Sequence, residues 1–202
     1  LQFPFDSPER SAWYFVPHQD RNKQPLRKGL RLELMSDAQK RLALDLLKSG
    51  LSEAGFQRAT TIMSLETVLA EQEKGRGPTR NPGWYFVTVF GTPSASGTWG
   101  WRIDGHHLSL NFTLDGEKVT SVTPAFFGSN PGEVKDGERK GTRPLGGTLD
   151  HAVALVKTFS EEQKGKCLVK PFGEVQGQTV SAKVGEPVGI RYGDMKPEQQ
   201  TV

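Results

Sequence analysis

The sequence has little cysteine and no long apolar run. Cys167 is the one cysteine among 202 residues, which excludes an intramolecular disulfide and a zinc site made of cysteine pairs. No apolar run reaches the roughly 20 residues that a membrane-spanning helix needs, so we expect no membrane span. The opening residues LQFPF lack the basic and apolar regions of a signal peptide, and there is no initiator methionine. We therefore expect the chain to be part of a longer protein, and removal of a signal peptide from that protein stays open.

Short motifs of common enzyme classes are also missing. The sequence has no Gly-x-Ser-x-Gly, His-Glu-x-x-His or Cys-x-x-Cys pattern, and the loop Gly128–Gly132 matches no phosphate-binding motif. The net charge is only +3, acids stand beside the basic residues, and no basic stripe carries interleaved aromatics. We therefore expect no nucleic-acid partner. A small-molecule or glycan ligand stays open, and so does a divalent metal as cofactor.

The aromatic residues indicate a folded chain, because 11 Phe and 4 Trp need a core. We expect all 202 residues to form a single domain. A helical part covers about residues 36–74, as helices over 36–50 and 52–74. The first of these helices begins with Ser36 and Gln39 at the spacing of a capping box.

A β part follows over about residues 84–127. Aromatic and β-branched residues dominate it, and Asp104–Gly105 and Asp115–Gly116 are residue pairs that close two-residue hairpins. A further helix over about residues 148–164 and an irregular tail over 165–202 complete the chain. The fold class is therefore α+β: a helical hairpin followed by an antiparallel β-meander and a further helix.

Polar side chains on the first predicted hairpin form one candidate site. With Asp104–Gly105 as the tip, side-chain alternation places four polar residues on one face of the strand pair. These residues are Arg102, His107, Ser109 and Asn111. This face either points at water or binds a ligand. In the second case Arg102 fixes an anionic or carbonyl group, His107 acts as acid, base or metal ligand, and Ser109 and Asn111 contribute binding.

Two further residues of this hairpin fall on its apolar face. His106 is expected to be a hydrogen-bonded core residue there. Trp101 is expected to contribute to a contact surface if the protein binds a small ligand or a glycan.

Glu66 is the second anomaly, because it falls inside the apolar arc of the second predicted helix. We expect its side chain to be buried, and burying an unpaired carboxylate is costly. Arg10, which is also a candidate ligand-binding residue, is a structural candidate for its partner. Arg102 or His107 as the partner would make Glu66 part of a catalytic site. With His107 it could also hold a metal.

Several segments together resemble one family. They are Thr61–Glu66, Trp99–Arg102, Gly105–Thr113 and Thr123–Gly128, with the opening Phe3–Asp6. In these segments the chain resembles the uncharacterised "domain of unknown function 3500" family over almost its whole length. Many members resemble secreted bacterial proteins, so the resemblance implies an extracytoplasmic location, periplasmic or secreted, with a cytoplasmic one as the alternative. It implies no activity.

Three hypotheses for the function remain. The first is an extracytoplasmic enzyme, such as a hydrolase, in which Glu66, His107 and Arg102 are catalytic and Asn111 orients the substrate. The second is a small-ligand or glycan-binding module. The third is a structural or assembly protein without catalysis, in which the polar residues only fix the fold.

Overall fold

The computed structural model of the protein describes residues 1–168 and 188–202. The described residues form two compact units, the first over 1–144 and the second over 145–168 and 188–202. The sequence predicts a single domain over all 202 residues. None of the helices in the described ranges is long and apolar enough to cross a membrane.

A seven-stranded, mostly antiparallel sheet forms the centre of the first unit. Its strands are β1 (Gln2–Phe3), β2 (Leu30–Arg31), β3 (Phe86–Phe90), β4 (Thr98–Gly105), β5 (Leu108–Asp115), β6 (Lys118–Ser121) and β7 (Ala125–Phe127). The strand order is β1-β3-β4-β5-β6, with β2 paired to β3 and β7 paired to β5, and β1 runs parallel to β3. The α+β class and the meander are therefore confirmed, whereas β1 and β2 lie in a segment whose sequence looks irregular.

The helical hairpin precedes the meander, as predicted. Helix α1 spans Asp37–Ser49 and helix α2 spans Glu53–Glu73. Ser36 accepts a hydrogen bond from the backbone N–H of Gln39, whose side chain in turn accepts one from the N–H of Ser36. This confirms the capping box, which satisfies two amide groups that the first turn of a helix leaves unpaired.

The second unit is helical and departs from the prediction. Its helices are α3 (Gly146–Lys157), α4 (Glu161–Cys167) and α5 (Pro197–Gln200). The single helix predicted over 148–164 is wrong, because Ser160 and Gln163 form a capping box and start a new helix there. The irregular tail predicted over 165–202 is also wrong at the end of α4 and at α5, while residues 169–187 of it lie outside the described residues.

The core of the first unit lies between the helical hairpin and one face of the sheet. Buried side chains of α1 and α2 meet those of β3, β4 and β5. The most completely buried members are Leu47, Ala59, Ile62, Tyr85, Ile103, Leu108 and Leu110. Burial of aliphatic and aromatic side chains contributes about 1.5 to 3 kcal/mol each, so this interface holds the sheet and helices together.

The hairpin tip between β4 and β5 lies at His106–His107, and the predicted tip at Asp104–Gly105 is wrong. Gly105 pairs with Leu108 and Asp104 pairs with Ser109 inside the ladder. His107, the second residue of the tip, has a left-handed backbone with a φ of 57°, a conformation that His tolerates better than a β-branched residue. In the next hairpin Asp115 pairs with Lys118, so that tip is also displaced, to residues 116–117.

Gly105 belongs in the ladder because Tyr85 crosses it closely. A Cβ atom at Gly105 would lie 2.4 Å from Cδ1 of Tyr85 and 2.9 Å from the carbonyl oxygen of Trp84. We expect Gly105→Ala to lower the free energy of unfolding by about 1.5 kcal/mol, because the ring and the backbone must both shift. Urea denaturation measures this. Gly132→Ala is the control, since a Cβ there meets nothing within 4 Å; equal losses in the two variants would contradict the close approach.

Candidate active site

Glu66 is buried on α2, with 4% of its surface exposed. Its Oε1 atom contacts Nδ1 of His106 in a short hydrogen bond. The predicted burial and the need for a partner are confirmed. The predicted partners Arg10, Arg102 and His107 are wrong, because the displaced hairpin turn brings His106 to Glu66. The prediction that His106 is a hydrogen-bonded core residue is confirmed, since only 7% of its surface is exposed.

An ion pair stands next to this hydrogen bond. Arg80 donates from Nε and Nη2 to the two carboxylate oxygens of Glu73 at 2.9 and 2.6 Å, and these bonds lower the pKa of Glu73. Nη1 of Arg80 lies 3.4 Å from Nδ1 of His106. A guanidinium only donates and an ionised carboxylate only accepts. While Glu66 is ionised, the hydrogen on Nδ1 of His106 therefore points to Glu66, and Arg80 adds only its charge.

The backbone around His106 is fixed from two sides. The hydroxyl of Tyr85 donates to the carbonyl of His106 at 2.9 Å, and Nη2 of Arg27 donates to the carbonyl of Gly105 at 3.1 Å. Burial, and then the charge of Glu66, raise the pKa of Tyr85 well above its ordinary value. Tyr85 therefore stays a neutral donor and holds the turn that carries the imidazole.

The ring of His107 lies against the ring of His106, with 4.2 Å between ring centres, and its other aromatic neighbour is Phe15, at 6.0 Å. Its backbone donates to the carbonyl of Phe15 at 2.8 Å, and its own carbonyl accepts from Gly128 at 2.7 Å. Its Nδ1 atom is buried without a hydrogen bond. Burial, and then the charges of His106 and Arg80, lower the pKa of His107 to about 3. His107 is therefore uncharged at neutral pH.

A small pocket lies beside the Glu66–His106 pair. Both residues line it, together with Tyr85, Arg27 and Asn81. Its volume is about 10 Å³, which is room for about one water molecule. A pocket of this size with polar side chains in its wall can hold a single ordered water next to the imidazole.

Arg102 lies in a different cluster. It is 1% exposed, and its Nη1 donates to the carbonyls of Glu9 and Ala12 at 2.7 and 3.0 Å. Its Nη2 donates to Oε1 of Glu9 at 2.9 Å, and Nε lies 3.3 Å from Oδ1 of Asp104. The interpretation that the polar face of this hairpin points at water is therefore wrong, because the N-terminal segment covers Arg102.

Arg27 completes the cluster around Arg102. Its Nε donates to Oδ2 of Asp104 at 3.1 Å, and its Nη2 donates to the carbonyls of Tyr14 and Val16 at 2.6 and 2.7 Å. Burial lowers the pKa of Arg27, and burial raises the pKa of Asp104 against the opposing charges of Arg102 and Arg27. The three side chains form a buried charge cluster (Arg27, Arg102 and Asp104) that Glu9 extends.

The predicted binding residues are all engaged by the protein itself. Asn111 donates to the carbonyl of Pro124 at 2.7 Å and to Ser109 at 3.3 Å, and Ser109 is fully buried. Arg10 donates to Thr113 at 3.1 Å and lies 4.0 Å from the centre of the Phe5 ring. Trp101 is buried in the core, stacked on Phe112 at 4.1 Å between ring centres, which leaves its face no room for a sugar ring.

Sequence reasoning missed the charged residues Arg27, Arg80 and Asp104, and also Glu9, Glu73 and Tyr85. Asp104 was assigned to the turn, although a tip two residues later would have placed it on the face of Arg102. Arg27 and Arg80 carry no local signal, because their partners lie far away in the sequence. Within the described ranges no group of three or more His, Cys, Asp or Glu side chains could hold a metal ion.

The fold and the site define an α+β protein with a buried carboxylate–imidazole pair beside a small pocket. A family model described as "Protein of unknown function (DUF3500)" matches residues 1–202, and the chain belongs to this family. The resemblance seen in the sequence is thereby confirmed. No curated protein and no solved structure matches the chain, so its function has to be inferred from the site.

Proposed function

We propose that the chain is a hydrolase in which His106 is the general base and Glu66 positions it. One observation carries the proposal: the carboxylate of Glu66 binds Nδ1 of His106 in a buried place, beside a pocket that both residues line. Binding at Nδ1 fixes the orientation of the ring and leaves Nε2 as the nitrogen that can accept a proton. His106 thus takes the role that the sequence suggests for His107.

The surroundings of the pair support acid–base work. The pocket has room for about one water molecule, and a base next to a single water can generate the nucleophile of a hydrolysis. The carboxylate of Glu73 pairs with the guanidinium of Arg80, whose Nη1 lies 3.4 Å from Nδ1 of His106. The imidazolium formed during the reaction would face the carboxylate of Glu66, which stabilises it.

The first test is turnover of a panel of p-nitrophenyl esters, phosphates and glycosides by the wild type and two variants. We expect His106→Asn to reduce kcat/KM by at least about 100-fold, since general-base catalysis contributes this much. Glu66→Gln keeps the shape of the side chain and should lower kcat more than KM, because it removes the charge that supports the imidazolium. His151→Asn and Glu71→Gln are matched controls at exposed positions.

Thermal melts of the same variants separate catalysis from folding. A large drop in melting temperature for Glu66→Gln, with unchanged turnover per folded molecule, would show that the pair only stabilises the fold. Equal turnover in the wild type and in His106→Asn would likewise contradict the proposal. Retained folding together with lost turnover is the expected outcome.

An extracytoplasmic location is part of the proposal. It is supported by the resemblance to secreted proteins of the family. The bacterial origin has the same support.

A further inference from the structure

A larger pocket lies on the sheet face opposite the core. Its volume is about 260 Å³, just below the range of about 300 to 1,000 Å³ that small-molecule sites occupy. Side chains of Arg102 and Asp104, which alternate with the core residues of β4, form its floor, and the N-terminal segment forms its walls. The charged side chains around it are Glu9, Arg27, Lys28, Arg102 and Asp104.

The charges of this pocket do not cancel. Asp104 lies within ion-pair distance of both Arg27 and Arg102, and Glu9 pairs with Arg102. Two carboxylates therefore balance two guanidinium groups, and the ammonium of Lys28 is left over. Lys28 is exposed, and its Nζ has no ion pair or hydrogen bond among the described contacts. The pocket thus carries one uncompensated positive charge.

Arg27 also has N–H donors that make none of the described hydrogen bonds. Its described hydrogen bonds leave from Nε and Nη2, and Nη1 makes none. A guanidinium and an ammonium that line one pocket suit a carboxylate, which accepts several hydrogen bonds at once. A neutral ligand would leave these donors without a charged acceptor.

The remaining wall is apolar. Leu26 and Ala12 line the pocket, and Tyr14 stacks on the ring of His18 with 3.8 Å between ring centres. A ligand that fills the pocket therefore needs an apolar body next to its charged group.

We propose that this pocket binds a small organic carboxylate, with its anionic group at Arg27 and Lys28 and its apolar body against Tyr14 and Leu26. The inference does not rest on the hydrolase, because the residues at its centre are different from Glu66 and His106. Arg27 is shared by the walls of both pockets.

Benzoate and its neutral isostere benzamide test the proposal with the intact chain. We expect benzoate to bind saturably, measured by NMR shifts of the labelled Lys28 ammonium and Arg102 Nε–H, whereas benzamide binds at least about tenfold more weakly. Lys28→Gln should weaken benzoate about fivefold, the effect of losing about 1 kcal/mol of contact energy. Lys118→Gln removes the same charge from an exposed strand position outside the pocket and should leave binding unchanged.

Three results would overturn the assignment. They are an absence of saturable benzoate binding, equal binding of benzoate and benzamide, and equal losses in Lys28→Gln and Lys118→Gln. Inorganic phosphate serves as a third probe: if phosphate shifts the same resonances and benzoate does not, the site is one for phosphate and the carboxylate class is wrong.

Discussion

Replacing Arg27 by methionine is expected to lower the free energy of unfolding by about 3 to 5 kcal/mol, the usual cost of removing one partner from a buried ion pair. Methionine keeps much of the length of the stem and removes all five donors. The substitution leaves the buried carboxylate of Asp104 with Arg102 alone. It also removes the donors of three carbonyl groups, those of Tyr14, Val16 and Gly105.

Chemical denaturation with two probes, tryptophan fluorescence and circular dichroism, measures this loss. Arg21→Met is the matched control, because Arg21 is exposed and has no described contact. A loss below about 1 kcal/mol for Arg27→Met, or one equal to that of Arg21→Met, would show that water replaces the guanidinium and that the buried charge cluster is not needed for the fold.

Acid is expected to destabilise the protein through His107. Its pKa is about 3 in the folded chain and about 6.5 in an unfolded one. Between these values the unfolded chain binds the proton and the folded chain does not, so stability falls as the pH falls. From pH 7 to pH 4 the full effect would be about 3.4 kcal/mol at 1.36 kcal/mol per pH unit. Since the ring is only partly buried, we expect about 2 to 3 kcal/mol.

The His107→Asn variant isolates this contribution from the other titrating groups. Asparagine does not titrate, and it tolerates the left-handed backbone at this position. The free energy of unfolding, measured in urea at several pH values, should fall more steeply in the wild type than in the variant. Parallel curves would mean that His107 is protonated in the folded state as readily as in the unfolded one.

Local patterns predict much of the fold because their causes are local. Ser36 and Gln39 form their capping box whatever the rest of the chain does, and the breaks around Gly50 and Gly75 end α1 and α2 as expected. The prediction of one helix over 148–164 was wrong because a local signal was overlooked. Ser160 and Gln163 have the capping spacing too, and a local start signal outweighed the continuous apolar periodicity.

The candidate site was harder to predict because its pairings are long-range. The burial of Glu66 follows from the helical period, but its partner depends on where the hairpin turns. Two-residue turn preference favours Asp104–Gly105, whereas Tyr85 packs so closely on Gly105 that this residue must stay in the ladder. A displacement of two residues preserves the two faces of the strands. The displacement moves His106 and His107 from the strands into the turn. The position of the turn therefore decides which of the two histidines contacts Glu66.

The irregular N-terminal segment has a consequence for the buried guanidinium groups of Arg102 and Arg27. In a helix or a strand, most carbonyl groups accept hydrogen bonds from backbone N–H groups of the same helix or sheet. In an irregular segment, many carbonyl groups can accept hydrogen bonds from side chains instead. The carbonyls of Glu9 and Ala12 surround Arg102, and those of Tyr14 and Val16 surround Arg27. The segment therefore does for these two cations what a hydration shell does in solution. Between Glu9 and Val16 the only helix or strand of this segment is the single 3-10 turn Pro8–Ser11, and the carbonyl groups of the segment replace water around the two cations.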